Sequence, residues 1–216
     1  MHSLRAFLLS SVALCSVALG LPARGDVPVV VDAAGLFAAL AKMPGLEAEF
    51  VEEKSIALLA APLISTGRLF FLPPGTLARL VERPIPSTVV ITPKALRISG
   101  SGHAETIDLG ARPDVKLFVE SFVKVLAGDL TALETLYSVS FVLLPGGQGA
   151  WRLTLTPRGG AVKSLIASLE LTGRGPMVDE IIVKETGGDE TVTRITKANP
   201  ARAFSPEEQG RLFGPP

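Results

Sequence analysis

A strand that is apolar on both of its faces needs more cover than neighbouring strands give, and this chain carries one. Ser65-Thr66-Gly67-Arg68-Leu69-Phe70-Phe71-Leu72 runs into Pro73-Pro74-Gly75 and continues as Thr76-Leu77-Ala78-Arg79-Leu80. Pro presets the turn backbone and Gly accepts positive φ, so the stretch predicts a hairpin. Alternation sets Leu69 and Phe71 on one face of the first strand, and Arg68 and Phe70 on the other. Leu77 and Leu80 do not alternate, which leaves the register of the second strand open. At least one face needs a cover that is not a neighbouring strand. The helices predicted elsewhere in the chain can provide it.

Asp32 is a good N-cap for a helix that stops at Pro44-Gly45, with Leu36, Leu40 and Met43 on one face and Phe37 beside them. Pro113-Asp114 opens a second helix and Gly128-Asp129 closes it. On it Lys116, Glu120 and Lys124 recur every four residues, opposite Phe118, Phe122, Val125 and Leu126. Glu120 before Lys124 is the favourable order for an ion pair. Asp129 caps a third helix with Leu130, Leu133 and Leu136 along one stripe.

The rest reads as strands. In 46–54, Leu46, Ala48 and Phe50 alternate with Glu47 and Glu49, and Glu52-Glu53-Lys54 reads as a solvated end. The apolar run 56–64, interrupted by Pro62, is either a short buried strand or a loop tucked onto the core. Arg83-Pro84-Ile85-Pro86 is extended, because each Pro restricts its predecessor. Strands over 87–92, 95–99 and 105–109 follow, and five more cover 138–144, 151–156, 165–172, 178–184 and 191–196, separated by Gly- and Pro-rich turns. Trp151, Leu153 and Leu155 form one dry face, and Leu165, Ala167, Leu169 and Leu171 another. From Ala198 the tail is polar and holds a short helix at most.

The first 25 residues have a basic start at Arg5, an apolar run over 6–19, and small residues at Ala18, Gly20, Ala23 and Gly25. That pattern predicts a secretory signal peptide, cleaved after Gly20, Ala23 or Gly25. Cys15 lies inside the apolar run with Leu14 before it, not a small residue, so it does not read as a lipid-modified cysteine. Its removal leaves no thiol, which is compatible with the periplasm. Lys and Arg number 21 against 21 Asp and Glu, which favours no polyanionic partner, and no basic run with interleaved aromatics points to nucleic acid.

Catalysis finds little support. His103, in a Gly/Ser turn, is the one histidine outside the signal, and an imidazole without a thiol makes neither a usual zinc site nor a Cys–His pair. Glu52-Glu53, Asp179-Glu180 and Asp189-Glu190 are adjacent carboxylates that point to opposite faces of a strand. Gly146-Gly147-Gln148-Gly149 joins two strands and lacks the helix and Lys of a phosphate cradle. No enzyme, cofactor or metal is predicted.

Several stretches, in their order, carry a resemblance. They are Phe50 in its acidic strand, the hairpin from Ser65 through Pro74 to Leu77, Pro84, the Ala127-Gly128-Asp129 junction, Trp151-Arg152-Leu153-Thr154-Leu155-Thr156-Pro157, and the Gly188-Asp189 turn. Together they resemble the LolA-like outer-membrane lipoprotein carrier family, in its divergent branch. The resemblance implies an α+β fold, an incomplete, curved antiparallel β-barrel with helices covering its open side, over 26–216 as a single lipid-carrier domain. It also implies a periplasmic monomer that ferries acyl chains of a lipoprotein, or another lipid, from an inner-membrane exporter to an outer-membrane acceptor. The branch's setting implies glycolipid, acyl or polyene cargo as alternatives. One departure stands out: well-studied carriers place an Arg before the Pro of the first hairpin to latch the lid, whereas Leu72 precedes Pro73 here. Neither Arg68 nor Arg79 is an obvious substitute.

On this reading Phe50, Leu69, Phe71, Trp151, Leu153, Leu155, Leu169 and Leu171 line an apolar cavity, faced by Phe37, Phe118 and Phe122 from the helices. Sequestering ~14 methylenes at about 0.8 kcal/mol each is worth at most around 11 kcal/mol, so few polar anchors suit a carrier that must release its load. The alternatives are that these residues are ordinary core of an envelope scaffold binding protein partners without lipid, or that polar groups converge on His103 in a hydrolase.

Overall fold

The computed structural model describes residues 30–145 and 149–214. The predicted signal peptide with Cys15, and Gly146, Gly147 and Gln148 of one predicted turn, lie outside the described residues.

In chain order the elements are α1 (Ala33–Leu40), β1 (Leu46–Ser55), β2 (Leu63–Leu72), β3 (Thr76–Arg83), β4 (Ser87–Ile91), β5 (Ala95–Gly100) and β6 (His103–Asp108). Then follow α2 (Pro113–Leu126), α3 (Leu130–Leu136), β7 (Tyr137–Leu143), β8 (Ala150–Pro157), α4 (Gly160–Leu165), β9 (Ile166–Arg174), β10 (Met177–Glu185), β11 (Glu190–Asn199) and α5 (Pro206–Phe213). The strands form one antiparallel sheet of 11 strands in the order β6-β5-β4-β3-β2-β1-β11-β10-β9-β8-β7. The first and last strands pair in the middle, and β6 and β7 stay unpaired on their outer edges, so the curved sheet is not closed. An unclosed, curved antiparallel sheet with helices is the predicted α+β fold.

Local chemistry accounts for the helices. Asp32 accepts a hydrogen bond from Gly35 N at 2.7 Å, and Asp129 accepts one from Ala132 N at 3.0 Å. These side chains satisfy N–H groups that a helix start leaves unpaired. Between α2 and α3, Gly128 has φ +72°, and a Cβ there would strike the Phe37 carbonyl and Ala41. Glycine thus lets this junction seat against α1. The predicted Glu120–Lys124 pair is replaced: Glu120 meets Lys116 at 3.8 Å, and Lys124 reaches forward to Asp129 at 3.5 Å.

Both faces of the first hairpin are covered. Its register sets Phe71 across from Leu77 and Phe70 across from Ala78. Phe71 and Leu77 cluster with Leu46, Ile91, Leu96 and Val119 of α2 on the concave side. Phe70 and Ala78 pack on the convex side with Val90, Phe204 and Phe213. The tail holds the short helix α5, and that helix is the outer cover. Its Ser205 and Glu208 form a reciprocal capping box, and Arg202 ties it to Glu47 at 2.8 Å.

A third cluster joins α1, α2 and α3 to β7–β9 through Phe37, Leu133, Tyr137, Trp151, Leu153, Leu155 and Leu169. Tyr137 is fully buried and donates its hydroxyl hydrogen bond to Ser121 Oγ at 2.7 Å, while Ser121 donates to the Leu117 carbonyl at 2.8 Å. Gly173 lies opposite Trp151, and a Cβ on it would meet the indole ring at 2.6 Å.

Two strand readings are corrected. Leu165 ends α4 and is exposed, and Ala167 also faces solvent, because the β9–β10 pairing slips between Lys184 and Glu185. The buried set is Ile166, Leu169 and Leu171. The run 56–64 is neither buried strand nor tucked loop. Leu58 is 95% exposed, and Leu63 and Ile64 begin β2 with their side chains half in water.

Candidate functional site

A cavity of about 470 Å³ lies between the concave face of the sheet and α2. The helical wall is Phe118, Val119, Phe122, Val125 and Leu126, with Leu40 and Met43 from α1 and the turn after it. The sheet supplies Leu46 and Phe50 from β1, Leu69 from β2, Leu77 from β3, and Val89, Ile91, Leu96 and Ile98 from β4 and β5. Leu169, Leu171, Val178, Ile181, Val183 and Ile195 complete it from β9–β11. Phe118 and Phe122 meet edge to face with centroids 5.4 Å apart, one helical turn separating them.

Of the residues predicted to line a cavity, Phe50, Leu69, Phe118, Phe122, Leu169 and Leu171 stand on its wall. Phe37, Phe71, Trp151, Leu153 and Leu155 do not; they are fully buried in the packed clusters on either side. Trp151 stacks on Phe141 at 6.2 Å and donates its indole N–H to the Gly175 carbonyl at 2.7 Å. The clean alternation of β8 identified a dry face, but α1 and α3 fill the space over it.

The wall also has a polar end that the residue types concealed. Glu52 and Lys54 continue the alternation Leu46-Ala48-Phe50, and Arg79 follows Leu77 by two, so all three project into the concavity. Their charge made 52–54 read as a solvated end. Arg79 pairs with Glu52 at 2.7 Å, and its guanidinium lies over the Phe50 ring at 4.5 Å. Thr193 Oγ1 donates to Glu52 at 3.2 Å and Ser65 Oγ at 3.5 Å. Further out, Lys54 pairs with Glu185 at 2.9 Å. The Glu185 carboxylate accepting that hydrogen bond holds the Lys54 ammonium above the ordinary lysine range, against the opposing effect of burial. Exposure rises from the Glu52 side chain at 21% to that of Lys54 at 36%, so this end of the wall meets solvent.

The site is an apolar chamber with a charge-balanced mouth. His103 is exposed at the start of β6 and is not part of the wall. Among the described residues, no group of three or more His, Cys, Asp or Glu could hold a metal ion, and no helix is long and apolar enough to cross a membrane.

The family model described as outer membrane lipoprotein carrier protein LolA-like matches residues 25–211. The chain belongs to this family. Among solved structures, a LolA superfamily protein from Nitrosomonas europaea is 10% identical, with 85% of this chain and 98% of that one covered and a TM-score of 0.45. A putative outer membrane lipoprotein-sorting protein domain from Vibrio parahaemolyticus is 10% identical, covering 83% and 98%, with a TM-score of 0.45. The MucA/MucB complex of Pseudomonas aeruginosa matches at 18% identity and TM-score 0.49, with 82% of this LolA-like chain covered and 60% of that one. No curated protein sequence matches the chain.

Proposed function

We propose that this protein is a non-enzymatic periplasmic carrier that shields acyl chains of a lipoprotein or another lipid between inner and outer membrane. Residues 26–216 act as one lipid-carrier domain after removal of 1–25. The supporting observation is the cavity: about 470 Å³ walled mainly by Leu, Ile, Val, Met and Phe. That volume falls within the roughly 300–1,000 Å³ of small-molecule sites. Aliphatic walls hold a chain by area and not by direction, which suits a load that must be passed on. Phe50, Leu69, Phe118, Phe122, Leu169 and Leu171 contact the chain, and membership of the LolA-like family supports the same task.

The neutral dye N-phenyl-1-naphthylamine, which brightens in apolar surroundings, tests the reading. It binds the protein saturably, and Leu69→Trp, which adds bulk inside the cavity, weakens binding by at least about tenfold while the melting temperature holds. A wild-type protein that never brightens the dye, or a variant that binds it equally well, contradicts the reading.

A second reading, an envelope scaffold that binds a protein partner without lipid, draws on Leu58, Leu59 and Ile85, whose side chains stand in solvent. It predicts that Leu58→Asp abolishes partner capture and that filling the cavity changes nothing.

A further inference from the structure

We propose that the two ion pairs at the mouth form a headgroup subsite, selective for acyl lipids whose head is net neutral and carries both hydrogen-bond donors and acceptors. The inference rests on reading the cavity as an acyl-chain site.

The subsite adjoins the apolar wall directly. On β1 the same face runs from Phe50 to Glu52 to Lys54, and on β3 from Leu77 to Arg79. A chain lying against Phe50 and Leu77 therefore carries its head to the two pairs. The guanidinium of Arg79 lies over the Phe50 ring at 4.5 Å and meets Glu52 at 2.7 Å, so two contacts hold it in place. Thr193 holds the other oxygen of Glu52 at 3.2 Å, and Thr191 faces the cavity beside it.

The charge count sets the selectivity. Two cations, Arg79 and Lys54, face two anions, Glu52 and Glu185, each at hydrogen-bond distance from its partner. A phosphate or carboxylate head approaching either cation meets a carboxylate already there. It must displace the carboxylate or sit beside it, and half-buried charges repel more strongly than they do in open water. A glycerol, sugar or amide head avoids this conflict. Its carbonyl and hydroxyl oxygens accept from the N–H groups that Arg79 and Lys54 have left over, and its O–H or N–H groups donate to the free lone pairs of Glu52 and Glu185. Both ion pairs survive, and no unpaired charge is created.

Titration calorimetry of the full purified protein with 1-lauroylglycerol and with 1-lauroylglycerol 3-phosphate, both below micelle-forming concentration, tests this. The two share chain and glycerol and differ by the phosphate. The neutral lipid is expected to bind at least about tenfold more tightly. Glu52→Gln and Glu185→Gln each remove the carboxylate paired with one cation, so each strengthens phosphate binding several-fold while the neutral lipid stays within about twofold. Equal or tighter binding of the phosphate by the wild type, or an unchanged gap in both variants, overturns the subsite but leaves the acyl cavity standing. Failure of both lipids to bind overturns the subsite and the acyl cavity together. Glu185 is the more exposed carboxylate, so Glu185→Gln carries the test if Glu52→Gln does not fold.

Discussion

Leu153 and Leu58 are the same residue in opposite surroundings: one has no exposed surface and the other is 95% exposed. Leu153→Ala removes atoms from a packed cluster and is expected to cost about 2–5 kcal/mol. Leu58→Asp should stay within about 0.5 kcal/mol of the wild type. Urea unfolding at constant slope measures both; a large loss for Leu58→Asp would place that loop against the core. Tyr137 contributes to the expected loss of stability at alkaline pH. Burial pushes its phenol above the ordinary range, with the Ser121 hydrogen bond opposing in part. The unfolded chain loses that proton near pH 10 while the folded one keeps it, so stability falls as pH rises past about 10. Lys54 acts in the same direction, because the stability from its raised value holds below the ordinary lysine range and is lost as pH climbs through the folded value. Melting curves should drop as pH rises above about 10. Tyr137→Phe is expected to flatten the drop, and an identical drop in that variant would remove Tyr137 from the explanation.

At the scale of elements, what could be read from sequence was whatever local chemistry decides. Asp32 and Asp129 cap the helices they were expected to cap, and the Pro-Pro-Gly turn joins β2 to β3. Phe118 and Phe122 share the inward side of α2 because 3.6-residue periodicity allows little else. What escaped depends on contacts far apart in sequence. The slip opposite Lys184 and Glu185 turned Ala167 outward, while Leu165 belongs to α4, and alternation within one strand carries no trace of a neighbour's bulge. Glu52 and Lys54 obey alternation but read as a solvated end by their charge, and Arg79 lies on a strand whose register the sequence leaves open, although each meets its counter-charge on another strand. The polar tail has room for a short helix but does not reveal that α5 is a cover, because Phe204 and Phe213 are too few to form a stripe yet meet each other at 5.4 Å over Phe70. Phe204→Ala should cost about 3–5 kcal/mol and bare the convex face. Ser205→Ala should cost about 1 kcal/mol and fray only α5, seen as faster amide exchange over 206–213. Exchange speeding equally across the sheet would mean that α5 is no separate cover.

At the scale of the molecule, two packed clusters flank one space that their own side chains leave open, and the third covers the outer face of the sheet. Interiors ordinarily close to near crystal density. Here α2 stands off the sheet: Val119 meets the strands near Phe71, and Phe118 and Phe122 face the gap. The decisive measurement is native mass spectrometry of the wild-type protein purified from cells without detergent. A population heavier than the bare chain by the mass of a lipid, and absent from Leu69→Trp, is the predicted result. A single species at the bare chain mass in both proteins would contradict a cavity built to hold a guest.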